Sequence, residues 1–463
     1  MQGLMKILLR VFVTLCCTAG SWIIPTSAQL IDTDDTVLFQ NGRIIIGDGS
    51  VIENGWLEIQ NGTVSRLSNS VITPSNNAIV IDAQGKTIIP ALVDGHAHIG
   101  YQGRNSWGSQ NYGRENLIDN LEQYAYYGFS AVFSAGSDAP NIVNEVEAAR
   151  GNGEFVGAQL LYAAGMAPPG QGPNDLFLGH ALAVEEGSGE TILYGLENPE
   201  QAKEQVQFAA AKGIQFIKIW VDDRGGSQSK LSPELYRAVI EEANSSDLKV
   251  FVHQQFATDM PDLIAAGAHG FLHGRIGNDL GTEIADQASA ANSFIVPNWG
   301  LAELRREAIG DDEFLNQIFI EDAMQALTAG NGNRQSTVSR NPLAEVELRS
   351  SFAHLLNAEV DIVLGTDAGA VPDHHFGYSG HRELEIYVRL GMSPMQALVA
   401  GTGNAARHLG MDNRGTLEAG NSADIILLTA NPLDNIRNTR SIERVILAGK
   451  EVDRESLRQT WKP

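Results

Sequence analysis

Thr87-Ile88-Ile89-Pro90-Ala91-Leu92-Val93-Asp94-Gly95-His96-Ala97-His98 is the stretch on which the fold turns. A mostly apolar run climbs to two histidines one residue apart. Strand side chains alternate with period two, so His96 and His98 share a face. Two imidazoles side by side at a strand end suit half of a metal site, and equally a merely polar strand terminus. The rest of the chain has to choose between them.

Downstream, strand-like and helical segments alternate, the pattern of parallel βαβ units. Ile88 to His98 is the first strand. Ser130 to Ser134, Phe155 to Tyr162, Ile214 to Val221 and Leu248 to Gln254 follow. His269 to His273, Phe294 to Asn298 and Asp361 to Thr366 complete eight. Helical patterns such as Pro199 to Lys212, Pro233 to Ala243 and Pro342 to Leu356 lie between them. This is the requirement for a (β/α)8 TIM barrel, expected over residues 88–410.

Residues 29–87 read differently. Short strand-like runs at Val37-Leu38-Phe39, Arg43 to Ile46, Trp56 to Ile59 and Ala78 to Ile81 are punctuated by turn dipeptides. Those dipeptides are Asn41-Gly42, Asp48-Gly49, Asn54-Gly55 and Asn61-Gly62. Residues 411–463 return to this pattern with Asp424 to Leu428, Ile442 to Leu447 and Ala448-Gly449-Lys450. Both ends are expected to pair into a small composite β-sandwich module.

Composition narrows the partners. The 463 residues carry 56 acidic and 32 basic side chains, a net charge of −24, against the basic surface that nucleic acid or an anionic membrane requires. Lys6 and Arg10 precede an apolar stretch from Val11 to Ile24, and Thr26-Ser27-Ala28 offers small residues for cleavage. Residues 1–28 are therefore expected to be a signal peptide, the protein to be exported, periplasmic or secreted, and stable membrane insertion to be absent. Cys16 and Cys17, the only cysteines, would leave with that peptide, and with them any thiolate chemistry. A homo-oligomer is compatible with the outer faces.

Catalytic residues of a TIM barrel sit at the C-terminal ends of its strands. Those ends supply His96 and His98 from strand one and Lys218, the one charge in Phe216 to Val221, from strand four. His253 ends strand five, His273 strand six and Asp367 strand eight. Four histidines, a lysine and an aspartate on one rim tip the balance towards metal.

The set His96-x-His98, Lys218, His253, His273 and Asp367 resembles that of the amidohydrolase superfamily of metal-dependent hydrolases, in the same order and on the same strands. Lys218 to Arg224 and Gly365 to Gly369 look like the branch of imidazolonepropionase-like and Xaa-Pro dipeptidase-like enzymes. The resemblance implies two divalent metal ions, zinc first among them, with cobalt, manganese or nickel also suited to these ligands. It implies His96, His98 and Asp367 on one metal, His253 and His273 on the other, and an N6-carboxylated Lys218 bridging them. Asp367 would be the catalytic proton shuttle. Related deaminases place a glutamate soon after the strand-five histidine, whereas here Gln254-Gln255-Phe256 follows His253, which favours hydrolysis.

For the substrate, His375 is the first candidate contact, with Tyr101, His180 and Arg224 behind it. The expected reaction is hydrolysis of a small-molecule amide such as a dipeptide or N-acyl amino acid. A cyclic amide, lactone or organophosphate ester is the alternative, and a non-catalytic binding barrel a remote one.

Overall fold

The structure, a computed structural model, describes residues 30–254, 256–273, 280–303, 309–325 and 342–462. The expected leader, 1–28, lies outside them, as does Gln255. No described helix is long and apolar enough to cross a membrane.

The chain ends build one sheet. Its strands are β1 (Val37–Ile45), β2 (Val51–Gln60), β3 (Thr63–Ser68), β4 (Ile79–Asp82) and β5 (Thr87–Pro90). Two expected turns lie inside strands: Asn41-Gly42 in β1 and Asn54-Gly55 in β2. Gly42 pairs with Gly55 between register shifts, and Asn41 and Asn54 take φ of 63° and 52°. The dipeptides that make tight turns also make bulges, because both need a left-handed residue. Asp48-Gly49 and Asn61-Gly62 do connect strands, as expected.

The barrel begins with β6 (Leu92–Ala97) and continues through β7 (Phe129–Ser134), β8 (Gln159–Ala167) and β9 (Leu193–Gly195). Then come β10 (Phe216–Val221), β11 (Lys249–Gln254), β12 (Gly270–Leu272) and β13 (Phe294–Val296). Parallel pairing runs β6-β7-β8-β10-β11-β12-β13, with the short β9, not anticipated from sequence, added beside β8. Residues 361–368 fill the eighth position without forming a regular strand. They bridge to β13 at Ile295–Ile362 and to β6 at Ala97–Ala368, which closes the ring. The third strand runs on to Ala167, five residues past the expected Tyr162.

The run Thr87 to His98 is two strands, not one. β5 pairs in parallel with β1 of the end sheet, and β6 with β7 of the barrel. After the barrel, β14 (Ile425–Leu428), β15 (Ile442–Leu447) and β16 (Lys450–Glu451) return to the end sheet. β14 lies antiparallel to β5, so both termini share one sheet as expected.

Alternation decides what each face of that sheet covers. Ile88, Ile425 and Leu427 belong to the module's own core. Their neighbours Ile89, Ile426 and Leu428 belong to the large core of the barrel. The end sheet thus buries one face against the barrel, beside the strand that carries His96 and His98.

Candidate metal centre

His96, His98 and Asp367 are buried, and their ligand atoms lie within 4.8 Å of one another. Asp367 Oδ1 is 3.2 Å from His98 Nε2 and 3.5 Å from His96 Nε2. Asp367 Oδ2 is 3.6 Å from His273 Nδ1. The His96 and His273 rings meet at 4.4 Å between centroids, and His273 and His253 at 4.7 Å. The expected residues from strands one, five, six and eight thus converge on one rim.

Their orientation is imposed from behind. His96 Nδ1 donates to Asn298 Oδ1 at 2.9 Å, and the backbone N–H of His273 donates to the same oxygen at 3.2 Å. His98 Nδ1 meets Ser137 Oγ at 2.8 Å. The acceptor on His96 Nδ1 selects the tautomer whose lone pair is on Nε2, the arrangement of a ligating imidazole, and the Ser137 hydroxyl orients the His98 ring. His96 Nε2 and Asp367 Oδ1 are buried without a hydrogen bond. Burial, together with the nearby His273 and Lys218, pushes His96 well below the ordinary histidine range, so its lone pair is available at neutral pH.

Asp94 ties strand one to strand eight. Its carboxylate accepts from Thr366 Oγ1 at 2.6 Å, Tyr124 Oη at 2.7 Å and the backbone N–H groups of Thr366 and His96 at 3.0 and 3.1 Å. Burial still raises its acid to about 6 against those four donors. Backbone strain gathers here too: Arg224, His273, Asn298 and Asp367 take φ between 54° and 61°. A left-handed conformation costs a non-glycine residue on the order of 1–2 kcal/mol, so the surrounding bonds hold these side chains where they are.

Lys218 enters from β10 and is 1% exposed. Its Nζ has no hydrogen-bond partner among the described residues. Desolvation lowers its ammonium to about 7, with Asp367 opposing the shift and Arg224 adding to it. An amine that is substantially neutral near pH 7 and has nothing to bind fits a group that is chemically completed, and the facing set of imidazoles and carboxylate fits divalent cations.

The expected substrate contacts separate. Arg224 gives Nη1 to Asp222 Oδ2 at 3.0 Å and Nη2 to the Gly172 carbonyl at 2.7 Å. The same Asp222 oxygen receives His253 Nε2 at 2.7 Å. Tyr101 is fully buried and gives its hydroxyl to the Ser137 carbonyl, so it supports the wall behind His98. His180 accepts from the Ser109 N–H at 3.1 Å and packs on Trp107, away from the cluster. His375 is buried against Phe319, 4.5 Å between ring centroids, with Nε2 unpartnered.

Asn298, Ser137 and Asp94 carry no expected role from sequence. Asn298 follows β13 by two residues, so the strand-end rule that found the ligands also points to it. Asn298→Ala is expected to lower metal affinity by about 10–100-fold, measured by competition with a chromogenic chelator. Gly369, at φ 88°, has its hydrogen where a Cβ would collide with the His98 carbonyl oxygen. Gly369→Ala is expected to cost more than ~1 kcal/mol of stability, read as a lower Tm.

A profile of the Amidohydrolase family matches residues 87–452. The chain belongs to the amidohydrolase family. That confirms the resemblance read from the site residues and makes the protein a hydrolytic enzyme. This amidohydrolase is 23% identical over 440 residues to the ochratoxinase of Aspergillus niger, covering 88% of this chain and 84% of that protein. Among solved structures it matches a Xaa-Pro dipeptidase with bound methionine in the active site at a TM-score of 0.67 and 21% identity, over 90% of this chain and 99% of the other. Phenylurea hydrolase B matches at a TM-score of 0.70 and 21% identity, over 92% and 98%. At these identities the structural likeness speaks for the fold, barrel and end sheet together.

Proposed function

We propose that this amidohydrolase is an exported enzyme that hydrolyses a small amide, such as a dipeptide or N-acyl amino acid, at a two-metal centre. The observation that carries the reading is the buried, unbonded Lys218 Nζ facing the histidine and aspartate cluster. His96 and His98, through Nε2, and Asp367 would hold one divalent cation; His253 and His273 the other. His253 Nε2 lies 2.7 Å from Asp222 Oδ2 and 3.0 Å from Arg224 Nη1, so this ring too is held from behind. Carboxylation of the neutral Lys218 amine by CO₂ would turn it into an anionic bridge, removing the cost of burying an unpaired ammonium. Bound there, the cations would polarise the amide carbonyl and acidify a water towards neutral pH.

The protein groups then have defined tasks. Asp367 takes the water's proton and passes it to the leaving amine, the step that an amide needs and an ester with a good leaving group does not. Asn298, Ser137 and Asp94 keep the two strand-one imidazoles and Asp367 in register while the proton moves. A carboxylate on the amine side accords with the dipeptidase likeness.

The test is a substrate panel assayed with zinc and bicarbonate present: N-acyl amino acids and dipeptides against lactones and phosphotriesters. Amides should show the largest kcat/KM. A preference for lactones or phosphotriesters would replace the amide reading with ester hydrolysis at the same residues, and inactivity on all of them would favour a binding role.

A further inference from the structure

The turn that carries Asp367 is strained. Asp367 and Asp373 take φ of 61° and 64°, and Gly369, between them, takes 88°. A left-handed backbone at non-glycine residues persists only where neighbouring groups over-determine it. Strand one holds the first half of the turn. The Thr366 and Asp367 N–H groups donate to the His96 carbonyl at 3.0 and 2.7 Å, and the His98 N–H donates to the Ala368 carbonyl at 2.7 Å. Within the turn, the Gly369 N–H reaches the His374 carbonyl at 3.2 Å, and the buried His374 ring bonds the Asp367 carbonyl.

The second half is gripped from the loop after β6. The Trp107 indole N–H donates to the Gly369 carbonyl at 2.7 Å, two residues past Asp367. Gln102 Oε1 accepts the Asp373 N–H at 2.9 Å. Gln102 and Trp107 face each other across an antiparallel bridge, so both holds come from one piece of backbone. That piece is itself braced: Gln102 Nε2 donates to the Gly103 carbonyl at 2.7 Å, and Asn120 Nδ2 to the Gln102 carbonyl at 3.1 Å. The Trp107 ring packs on Phe177 at 6.0 Å and on His180 at 4.7 Å, and Phe177 packs on His98 at 5.0 Å. His180 thus backs the indole.

We propose that Trp107 and Gln102 are positioning residues for the reaction: they clamp the turn at Gly369 and Asp373, so that the Asp367 carboxylate keeps one orientation while it moves a proton. This rests on Asp367 acting as the proton shuttle of amide hydrolysis. A group that must take a proton at one place and deliver it at another loses rate steeply when displaced by about 1 Å. An activated ester, whose leaving group needs no proton, is far less sensitive to that displacement.

Trp107→Phe is the test, because phenylalanine keeps an aromatic ring against Phe177 and His180 and removes the N–H. In protein carrying zinc and bicarbonate, hydrogen–deuterium exchange of the peptide 367–374 should run about tenfold faster than in the wild type, with β10 and β11 unchanged. On N-acetylmethionine kcat should fall by about tenfold or more with KM within about twofold, and turnover of nitrophenyl acetate should fall much less. Gln102→Leu should give the same pattern from the other hold, and stands in should Trp107→Phe not fold. Wild-type exchange across 367–374 in the folded variants, or equal losses on amide and ester, overturns the proposal. Faster exchange in the variants of a protein that hydrolyses the ester but no amide would uphold the clamp and overturn the amide reaction instead.

Discussion

Asp367→Asn is expected to lower kcat on an amide by about 10²–10⁴-fold, the range contributed by a positioned acid–base group. Asparagine keeps the shape of the side chain and can still occupy the position 3.2 Å from His98 Nε2. It cannot accept the water's proton or return one to nitrogen. The diagnostic is the comparison with a nitrophenyl ester, whose leaving group departs without protonation and should therefore lose much less. Equal losses on ester and amide would reduce Asp367 to a metal ligand.

The second large effect has opposite signs for activity and stability. Lys218→Met should abolish hydrolysis, yet stabilise the metal-stripped protein in bicarbonate-free buffer. The ammonium falls from 10.5 to about 7 on folding because it is buried without a hydrogen-bond partner. Between those values the unfolded chain holds a proton that the folded chain has lost, so wild-type stability should rise with pH from 7 to 10.5 and stay low below pH 7. The full difference is at most about 5 kcal/mol, at ~1.4 kcal/mol per unit. Lys218→Met should show no such slope and a higher Tm at pH 7. A Tm equal to or below wild type, with no such slope in the wild type either, would mean that Lys218 is solvated or paired. Site lysines that destabilise the empty protein are the expected cost of a reactive centre.

Much of this was legible because parallel strands buried on both faces read as continuous apolar runs, in which a single lysine or a terminal histidine stands out. Lys218, His253 and His273 announced themselves that way, and the histidine pair alternates as a strand requires. The same property hid the break after Pro90. Thr87 to Val93 is one apolar run whether or not its two halves join different sheets, since nothing in apolar character specifies a partner strand. Asn41-Gly42 and Asn54-Gly55 misled for a related reason: local sequence encodes the left-handed residue, and the opposing strand decides between turn and bulge. Ser137, Asn298 and Asp94 act on ligands up to 202 residues away, and polar residues of these types are common at strand ends, so only the folded chain shows what they hold. Arg224 and Tyr101 show the converse, polar groups near a site whose bonds are already committed within the protein.

The most direct test of the two-metal reading is metal content per chain, measured by elemental analysis on protein purified with zinc and bicarbonate, beside Lys218→Ala. Two metals per wild-type chain, falling to one or none in the variant together with amide hydrolysis, is the predicted result. One metal per chain in both proteins would show that Lys218 is no ligand and would contradict the bridged centre.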